Sequence, residues 1–201
     1  MTFFSKPTSS PLKHKIIFII GGPGSGKGTQ CDQISHEFDF EHLSTGNILR
    51  NIISKRVLPG WEDLKEKIEK GALISSSELI KYIKEELKDK NKTILLDGFP
   101  RNEENIQVWN NEMKDSCGVI AVVYFECSKN EMRKRLMNRK EGRLDDNEEV
   151  IDKRIESFYK ETFPLVNEFE KQGNLIRINA ERNVSEIFME LKRKLQEKGL
   201  V

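Results

Sequence analysis

A glycine-rich segment near the start of the chain constrains its fold more than any other feature. This segment, Gly21 to Thr29, follows the apolar run Ile16 to Ile20 and precedes a helical pattern. The β-branched run predicts a strand that is buried on both faces, as in a parallel sheet. Glycines let successive backbone N–H groups point inward around phosphate oxygens, and the helix N-terminus adds partial positive charge. The sequence therefore predicts a triphosphate-binding loop between the first strand and the first helix.

The lysine in this loop supports the same interpretation, although the loop departs from the usual pattern by one residue. Lys27 is placed to reach the β- and γ-phosphates. The strict P-loop pattern has Ser or Thr directly after the lysine. Here Gly28 takes that place and Thr29 follows it. The curled, lysine-bearing backbone is retained, so we predict triphosphate binding, but the loop alone does not name the reaction.

Strand and helix patterns alternate along the rest of the chain. The other predicted strands are Thr93 to Leu96, Val119 to Phe125, and Leu175 to Ile178. The predicted helices are Thr29 to Phe38, Ser75 to about Lys88, Asn102 to Met113, Asn130 to Asn138, Glu148 to Gln172, and Val184 to Gln196. This alternation predicts a three-layer α/β fold with a central parallel sheet and helices on both faces. Ligands of such sheets lie beyond the carboxyl ends of the strands, so we expect the site after Ile20, Leu96 and Phe125.

Two segments interrupt the alternation. Residues 44–75 contain two short helical patterns without a strand between them, which predicts a helical insertion. Residues 139–146 form a short, polar, glycine-containing connection between two helices. Both are candidates for mobile covers over a site. We expect residues 1–14 to form a flexible tail and residues 15–201 to form one domain.

Composition restricts the partners of this chain. The 34 Lys and Arg residues nearly balance the 33 Asp and Glu residues, which argues against nucleic-acid binding as the main task. No apolar run approaches the ~20 residues of a membrane span. The three cysteines are scattered, which predicts buried thiols without a disulfide framework or zinc site. We expect a monomeric protein of the cytoplasm that does not bind a membrane.

Three further segments narrow the function. They are Leu43 to Arg50 (LSTGNILR), Leu96 to Arg101 (LDGFPR), and Gly142 to Asn147 (GRLDDN), the last with Arg154 downstream. Together with the glycine-rich loop, these segments resemble the nucleoside monophosphate kinases of the adenylate kinase and UMP/CMP kinase family. The resemblance extends from about Lys15 to Leu191 and is closest to the UMP/CMP branch. It implies a P-loop fold in which residues 44–75 bind the monophosphate and residues 139–146 form a short lid.

The resemblance also implies a role for each matching position. The residues that hold the ATP phosphates are Gly24, Ser25, Gly26, Lys27, Gly28 and Thr29. The residues on the monophosphate side are Arg50, Ala72, Leu73, Ile74, Gly98, Phe99, Pro100, Arg101 and Asn105. The arginines around ATP and the transferred phosphoryl group are Arg139, Arg143 and Arg154, and Arg182 lies where the backbone meets the adenine. Mg²⁺ is the implied cofactor, held by Asp97 through water, with Thr29 as a second candidate.

Elementary chemistry supports these roles. Phosphoryl transfer needs positioning and charge neutralisation, and arginine presents a fixed fork of donors to phosphate. We therefore assign catalysis to Lys27 and to the arginines at 101, 139, 143 and 154. The acceptor is already an anionic phosphate oxygen, so no general base is required. His14, His36 and His42 are accordingly predicted to be surface or packing residues.

The acceptor base is the least constrained point. Asn105 stands where the adenylate kinase branch has Gln, and the UMP/CMP branch carries Asn there. A shorter amide suits a smaller ring and can pair with either pyrimidine edge. Against this, Thr45 is typical of the adenylate kinase branch, and Asn47 replaces an acidic residue common to both branches. We predict UMP or CMP as acceptor, with AMP as the alternative. A non-catalytic or GTPase-like nucleotide switch is the alternative from another class.

Overall fold

The computed structural model describes residues 13–56, 59–139 and 147–201. The strands are β1 (His14–Gly21), β2 (Glu41–Ser44), β3 (Ile94–Asp97), β4 (Cys117–Glu126) and β5 (Leu175–Asn179). The helices are α1 (Lys27–Phe38), α2 (Thr45–Lys55), α3 (Trp61–Glu69), α4 (Ser76–Leu87), α5 (Glu103–Glu112), α6 (Lys129–Met137), α7 (Glu148–Ser157), α8 (Phe163–Lys171) and α9 (Val184–Glu197). A π-helical turn, Phe158–Thr162, connects α7 to α8.

The described strands form one parallel sheet in the order β2-β3-β1-β4-β5. Strand β1 lies at its centre, where Phe18 pairs with Leu96 of β3 and with Val122 of β4. All four residues of β3 are buried, as is the apolar run of β1. These strands are covered on both faces, which confirms the predicted α/β fold with a central parallel sheet.

Strand β2 was not predicted from the sequence. It is only four residues long, and Leu43 is its one buried residue. Its pairing with β3, in which His42 lies opposite Leu95, extends the sheet at one edge. Such a short, half-exposed segment has neither an apolar run nor a clear alternation, so local sequence gives no strand signal. The pairing matters for function because it brings His42 to the end of the sheet where β3 finishes.

Polar caps explain where most helices begin. The side chains of Ser44, Ser75, Asn102, Ser128, Asn147 and Asn183 each accept a hydrogen bond from a backbone N–H in the first turn of the following helix. Each cap satisfies a donor that the helix itself leaves without a partner. The predicted start of α4 at Ser75 is confirmed, since its hydroxyl also donates to Glu78 at 2.7 Å. The caps at Ser44 and Asn102 fix the helices that follow β2 and β3.

The predicted helix from Glu148 to Gln172 is interrupted, which corrects the sequence interpretation. The π-helical turn Phe158–Thr162 inserts one wide turn between α7 and α8. Pro164 lies just after it, in the first turn of α8. Proline has no N–H to donate and would clash with the carbonyl oxygen of Lys160, four residues earlier, in a regular helix. A wide turn relieves that clash without ending the helical path.

The predicted segment boundaries can be compared with these elements. Helices α2 and α3 fall within residues 44–75, as the insertion requires. Strand β1 already begins at His14, so the predicted tail is one residue too long at that point. Of the predicted lid, only Arg139 lies within the described residues. All three cysteines are buried free thiols, as predicted. None of the helices among the described residues has the length and apolar character needed to cross a membrane.

Candidate active site

A cavity of about 580 Å³ opens beyond the carboxyl ends of β1, β2 and β3. This is the edge of the sheet at which the sequence predicted a ligand. Its lining includes loop residues after β1, the start of α2, the end of α3, residues 71–74 and the segment after β3. Arg139 and α7 complete the wall from the opposite side. The cavity therefore joins the predicted donor side to the predicted acceptor side.

The loop between β1 and α1 has the geometry of a phosphate cradle. Gly24 and Gly26 have φ values of +79° and +88°, which side chains other than glycine rarely adopt. A Cβ atom at Gly24 would also lie 2.8 Å from the carbonyl oxygen of Met132. Gly24, Gly26, Lys27, Gly28 and Thr29 all line the cavity. The predicted loop residue Ser25 differs, because it is almost fully buried and does not line the cavity; its hydroxyl lies 3.4 Å from Nζ of Lys27.

Lys27 bonds to its own loop. Its Nζ atom donates to the carbonyl oxygens of Gly21 at 2.7 Å and Gly22 at 2.9 Å. Burial of the ammonium group lowers the pKa of Lys27 to about 8. Asp97 opposes this shift, while the charges of Arg101 and Arg154 add to it. Phosphate would hold the ammonium group in its charged form, so proton uptake and triphosphate binding are coupled.

Arg101 is held at the floor of the cavity by the turn that follows β3. Its Nε donates to the carbonyl oxygen of Gly98 at 3.0 Å, and its Nη2 lies 3.4 Å from Oγ1 of Thr45. Thr45 in turn donates to the backbone of the same turn, to the carbonyl oxygen of Asp97 at 3.1 Å. Gly98 has φ +77°, and a Cβ there would lie 2.9 Å from the Thr45 hydroxyl. The close packing of Thr45 on this turn therefore requires glycine at position 98.

The predicted arginines converge on the cavity from distant parts of the chain. Arg50 of α2, Arg101 after β3, Arg139 after α6 and Arg154 of α7 all line it. Arg50 donates from Nη2 to Oδ1 of Asn47 at 2.5 Å. Arg143 lies outside the described residues, so its predicted role is untested. Four guanidinium groups at one cavity match the chemistry of polyanion binding.

Asp97 carries negative charge at the centre of these cations. Burial by itself would raise its pKa, but the hydrogen bond from His42 and the charge of Lys27 hold the pKa of Asp97 below its usual value. His42 lies between two carboxylates, with Nδ1 2.6 Å from Asp32 and Nε2 3.3 Å from Asp97. These bonds outweigh burial and raise the pKa of His42. The prediction that His42 is only a surface or packing residue is therefore wrong, because it also lines the cavity.

The surroundings of Asp97 fit a hydrated Mg²⁺ ion. Its carboxylate faces the phosphate loop, since a Cβ placed at Gly28 would lie 3.9 Å from Oδ2. Thr29, the second predicted candidate, lines the same cavity. Among the residues that the structure describes, no three His, Cys, Asp or Glu side chains are grouped to hold a metal ion alone. One carboxylate beside a phosphate cradle is what Mg²⁺ needs, because it keeps several waters and shares the phosphates of its substrate.

Most of the residues predicted for the acceptor side line the cavity, and one does not. Ala72, Leu73, Ile74, Gly98, Pro100 and Asn105 line the cavity. Phe99 does not, because it is fully buried against Phe18 and Trp109, with ring centroids 5.3 Å from each. Its predicted contact with the monophosphate is therefore wrong for the side chain. Phe99 instead anchors the turn that carries Arg101 in the aromatic core.

Arg182 lies away from the cavity. Its guanidinium group forms an ion pair with Glu190 and donates to the carbonyl oxygen of Asn179 at 3.4 Å. Both contacts belong to the surface around the start of α9. The side chain therefore has no contact with the predicted phosphate site, and the predicted role of this position rests on its backbone alone.

Comparison with known proteins assigns the class. The family model for adenylate kinase matches residues 19–174. The chain is 35% identical to the UMP-CMP kinase of Danio rerio, across 92% of this chain and 98% of that protein. It is 39% identical to UMP-CMP kinase 1 of Oryza sativa subsp. japonica, across 90% of this chain and 73% of that protein. It is 38% identical to adenylate kinase isoenzyme 1 of Oryctolagus cuniculus, across 89% and 93%.

Fold, cavity and relatives together define a nucleoside monophosphate kinase. The chain belongs to the adenylate kinase family, as the four sequence segments indicated. It is therefore an enzyme that transfers a phosphoryl group between nucleotides, and the alternative of a GTPase-like switch has no support.

The lowered pKa of Lys27 predicts a pH dependence of ATP capture. Lys27 is charged below its pKa of about 8 and loses that charge as the pH rises through this value. We expect kcat/KM for ATP to fall about tenfold from pH 7 to pH 9, because the free enzyme then lacks the cation that meets the phosphates. In a Lys27→Met variant the activity should be low and flat over that range. A wild-type profile that is flat to pH 9 would contradict this assignment.

Removing either central cation should abolish turnover without unfolding the protein. We expect Lys27→Ala and Arg101→Ala to lower kcat/KM by ~10³-fold or more, because Lys27 meets the donor phosphates and Arg101 meets the acceptor phosphate at the reacting centre. Circular dichroism and thermal melting should show folded proteins. Arg193→Ala is the matched control, since Arg193 is exposed and paired with Glu197 on α9. Near-normal turnover in either site variant would remove that residue from the mechanism.

Proposed function

We propose that this enzyme transfers the γ-phosphoryl group of ATP to a pyrimidine nucleoside monophosphate, UMP or CMP, with dCMP as a further substrate. The products are ADP and the pyrimidine nucleoside diphosphate. Asn105 is the observation that carries this proposal. Its side chain is 3% exposed, lines the acceptor side of the cavity and is held in one orientation. The relatives from Danio rerio, Oryza sativa subsp. japonica and Mus musculus are UMP-CMP kinases, which supports the same substrate class.

The contacts of Asn105 leave hydrogen-bonding capacity for a base. Its Oδ1 accepts from the backbone N–H of Arg101 at 2.9 Å, and its Nδ2 donates to Oγ of Ser76 at 2.8 Å. An amide oxygen can accept twice and an amide nitrogen can donate twice. One acceptor site and one donor site therefore remain for a ligand. This pair matches the donor and acceptor groups on the O4, N3 and N4 edge of uracil or cytosine.

AMP is the second candidate, and two observations favour it. Thr45 occupies a position at which the adenylate kinase branch carries Thr, and it is buried against the Arg101 turn. Relatives named adenylate kinase isoenzyme 1 reach 38% identity, one percentage point below the 39% of three UMP-CMP kinases. Identity alone therefore does not separate the two acceptors. The argument for a pyrimidine rests on the reach of Asn105.

The residues of the cavity perform the transfer mainly by positioning. An anionic oxygen of the acceptor phosphate attacks the γ-phosphorus, and the bond between that phosphorus and the oxygen bridging to ADP breaks. Arg50 and Arg101 hold the acceptor phosphate, while Lys27 and the loop N–H groups hold the donor. Arg139 and Arg154 neutralise charge on the transferred group from the opposite wall. No proton needs to leave the acceptor, so His42 is not required as a base.

Mg²⁺ is the proposed cofactor. Bound at this site, Mg²⁺ would neutralise part of the charge on the donor phosphates. Asp97 would hold it through water, and Thr29 is the second candidate. Because Lys27, His42 and the Arg101 charge keep Asp97 ionised, its carboxylate is ready to accept hydrogen bonds from metal-bound water.

We further propose a monomeric enzyme of the cytoplasm that serves pyrimidine nucleotide biosynthesis. The three free, buried thiols support a reducing compartment. The nearly balanced charge of the chain supports small nucleotides, and not nucleic acid, as its partners.

A coupled assay for ADP tests the reaction type. With ATP, Mg²⁺ and CMP or UMP, we expect turnover in the usual enzyme range of ~1–10³ s⁻¹. Without an acceptor, ADP formation should be near background, because closure around both nucleotides excludes the water that would otherwise accept the phosphoryl group. ADP release that is independent of any monophosphate would contradict a kinase.

Substitution of Asn105 tests the acceptor assignment. Asn105→Gln pushes the amide one methylene further into the acceptor side, which should favour AMP over CMP and UMP. We expect the ratio of kcat/KM for AMP to that for CMP to rise about tenfold, the usual effect of one methylene in a pocket. Asn111→Gln is the matched control, since it makes the same change at an exposed position of α5. An unchanged ranking of the three acceptors would contradict the role of Asn105 in selecting the acceptor base.

A further inference from the structure

Thr162 makes a contact with Arg101 that the family-like segments did not indicate. Its Oγ1 donates to the carbonyl oxygen of Arg101 at 2.6 Å. The two residues are 61 positions apart in the chain. Thr162 is only 7% exposed and lines the cavity beside Arg101. The hydroxyl is therefore a buried donor that is committed to the backbone of a predicted phosphate-binding residue.

The π-helical turn explains how Thr162 comes to this place. Thr162 is the last residue of that turn, directly before α8. Pro164 requires the helix to widen at this point, as described above. Widening rotates the residues of the turn relative to a regular helix, so Thr162 is presented to the end of β3 while Phe163 packs near Tyr124. The helical path from α7, which carries Arg154, thus reaches the Arg101 turn through Thr162.

Arg101 is then fixed from both sides of its backbone. Its N–H donates to Oδ1 of Asn105 at 2.9 Å, and its carbonyl oxygen accepts from Thr162 at 2.6 Å. Its side chain is oriented separately by the carbonyl oxygen of Gly98 at 3.0 Å. A backbone held at its N–H and at its carbonyl oxygen has little freedom to rotate. The guanidinium group that projects from it is therefore placed by α5 on one side and by the π-helical turn on the other.

We propose that Thr162 is a positioning residue for phosphoryl transfer, which holds the Arg101 guanidinium group in the place where it binds the acceptor phosphate. This proposal rests on the role of Arg101 as a phosphate-binding residue. The hydroxyl is committed to the backbone of Arg101, and it acts through that bond. Misplacement of a reacting group by about 1 Å can cost ~10²-fold in rate. Loss of the hydroxyl should therefore lower kcat more than it changes the KM for ATP, because ATP is held mainly by the loop after β1.

Thr162→Val and Thr162→Ser form the direct test. Valine has nearly the same shape as threonine but leaves the carbonyl oxygen of Arg101 without this donor, whereas serine keeps it. We expect kcat with the preferred monophosphate to fall ~10- to 10²-fold in Thr162→Val and to return to within about threefold of wild type in Thr162→Ser. Ser116→Ala removes a comparable hydroxyl-to-carbonyl bond at the other end of the sheet and should leave kcat unchanged. If Thr162→Val does not fold, Thr162→Ala replaces it.

A double-mutant cycle separates positioning from general stability. In an Arg101→Lys background, adding Thr162→Val should cost less than about threefold in kcat, because the guanidinium group that Thr162 positions is already gone. A loss that is fully additive, or one that Thr162→Ser does not rescue, would overturn the proposal, as would a normal kcat in Thr162→Val. If instead Arg101→Lys itself keeps wild-type turnover for every monophosphate, the phosphate-binding role of Arg101 fails first.

Discussion

The gathering of like charges in one partly buried cavity is the constraint on which the rest of the structure depends. Lys27 shows this directly, because its pKa is lowered by burial and also by the positive charges of Arg101 and Arg154. Cations held this close repel one another until a polyanion arrives. The scaffold therefore has to supply rigidity. The sheet supplies this rigidity through the buried strands β1 and β3, because Lys27 and Arg101 lie in the segments that directly follow them.

Opposing charge lies on Asp97, whose carboxylate is held in place by neighbouring residues. Asp97 is the last residue of β3, and His42 of the neighbouring strand β2 contacts its carboxylate through Nε2. Asp32 of α1 contacts the other nitrogen of the His42 ring. Three elements thus fix one carboxylate that faces the phosphate loop. This arrangement keeps Asp97 ionised among several cations and oriented toward the loop. The short edge strand β2 has a functional purpose in this view, since it carries His42 into place.

Local sequence predicted the parts of the fold whose signal is local. The β-branched run of β1, the glycine loop, and the caps at Ser75 and Asn102 each act over a few residues, and their elements lie close to where the sequence placed them. The role of His42 was missed because its partners, Asp32 and Asp97, are 10 and 55 residues away. The π-helical turn was missed because helical periodicity continues through it, and only Pro164 marks the site. Phe99 was misassigned because a motif gives position in the chain but not side-chain direction.

The bonds of Lys27 to its own loop have a consequence for the catalytic cycle. The ammonium group donates to the carbonyl oxygens of Gly21 and Gly22. A nucleotide must displace these internal partners to gain the lysine, and the same partners are regained when ADP leaves. The loop carbonyl oxygens thus compete with the nucleotide phosphates for the Lys27 ammonium group. Such competition lowers the affinity of the loop for ATP and ADP alike, which shortens the residence of either nucleotide.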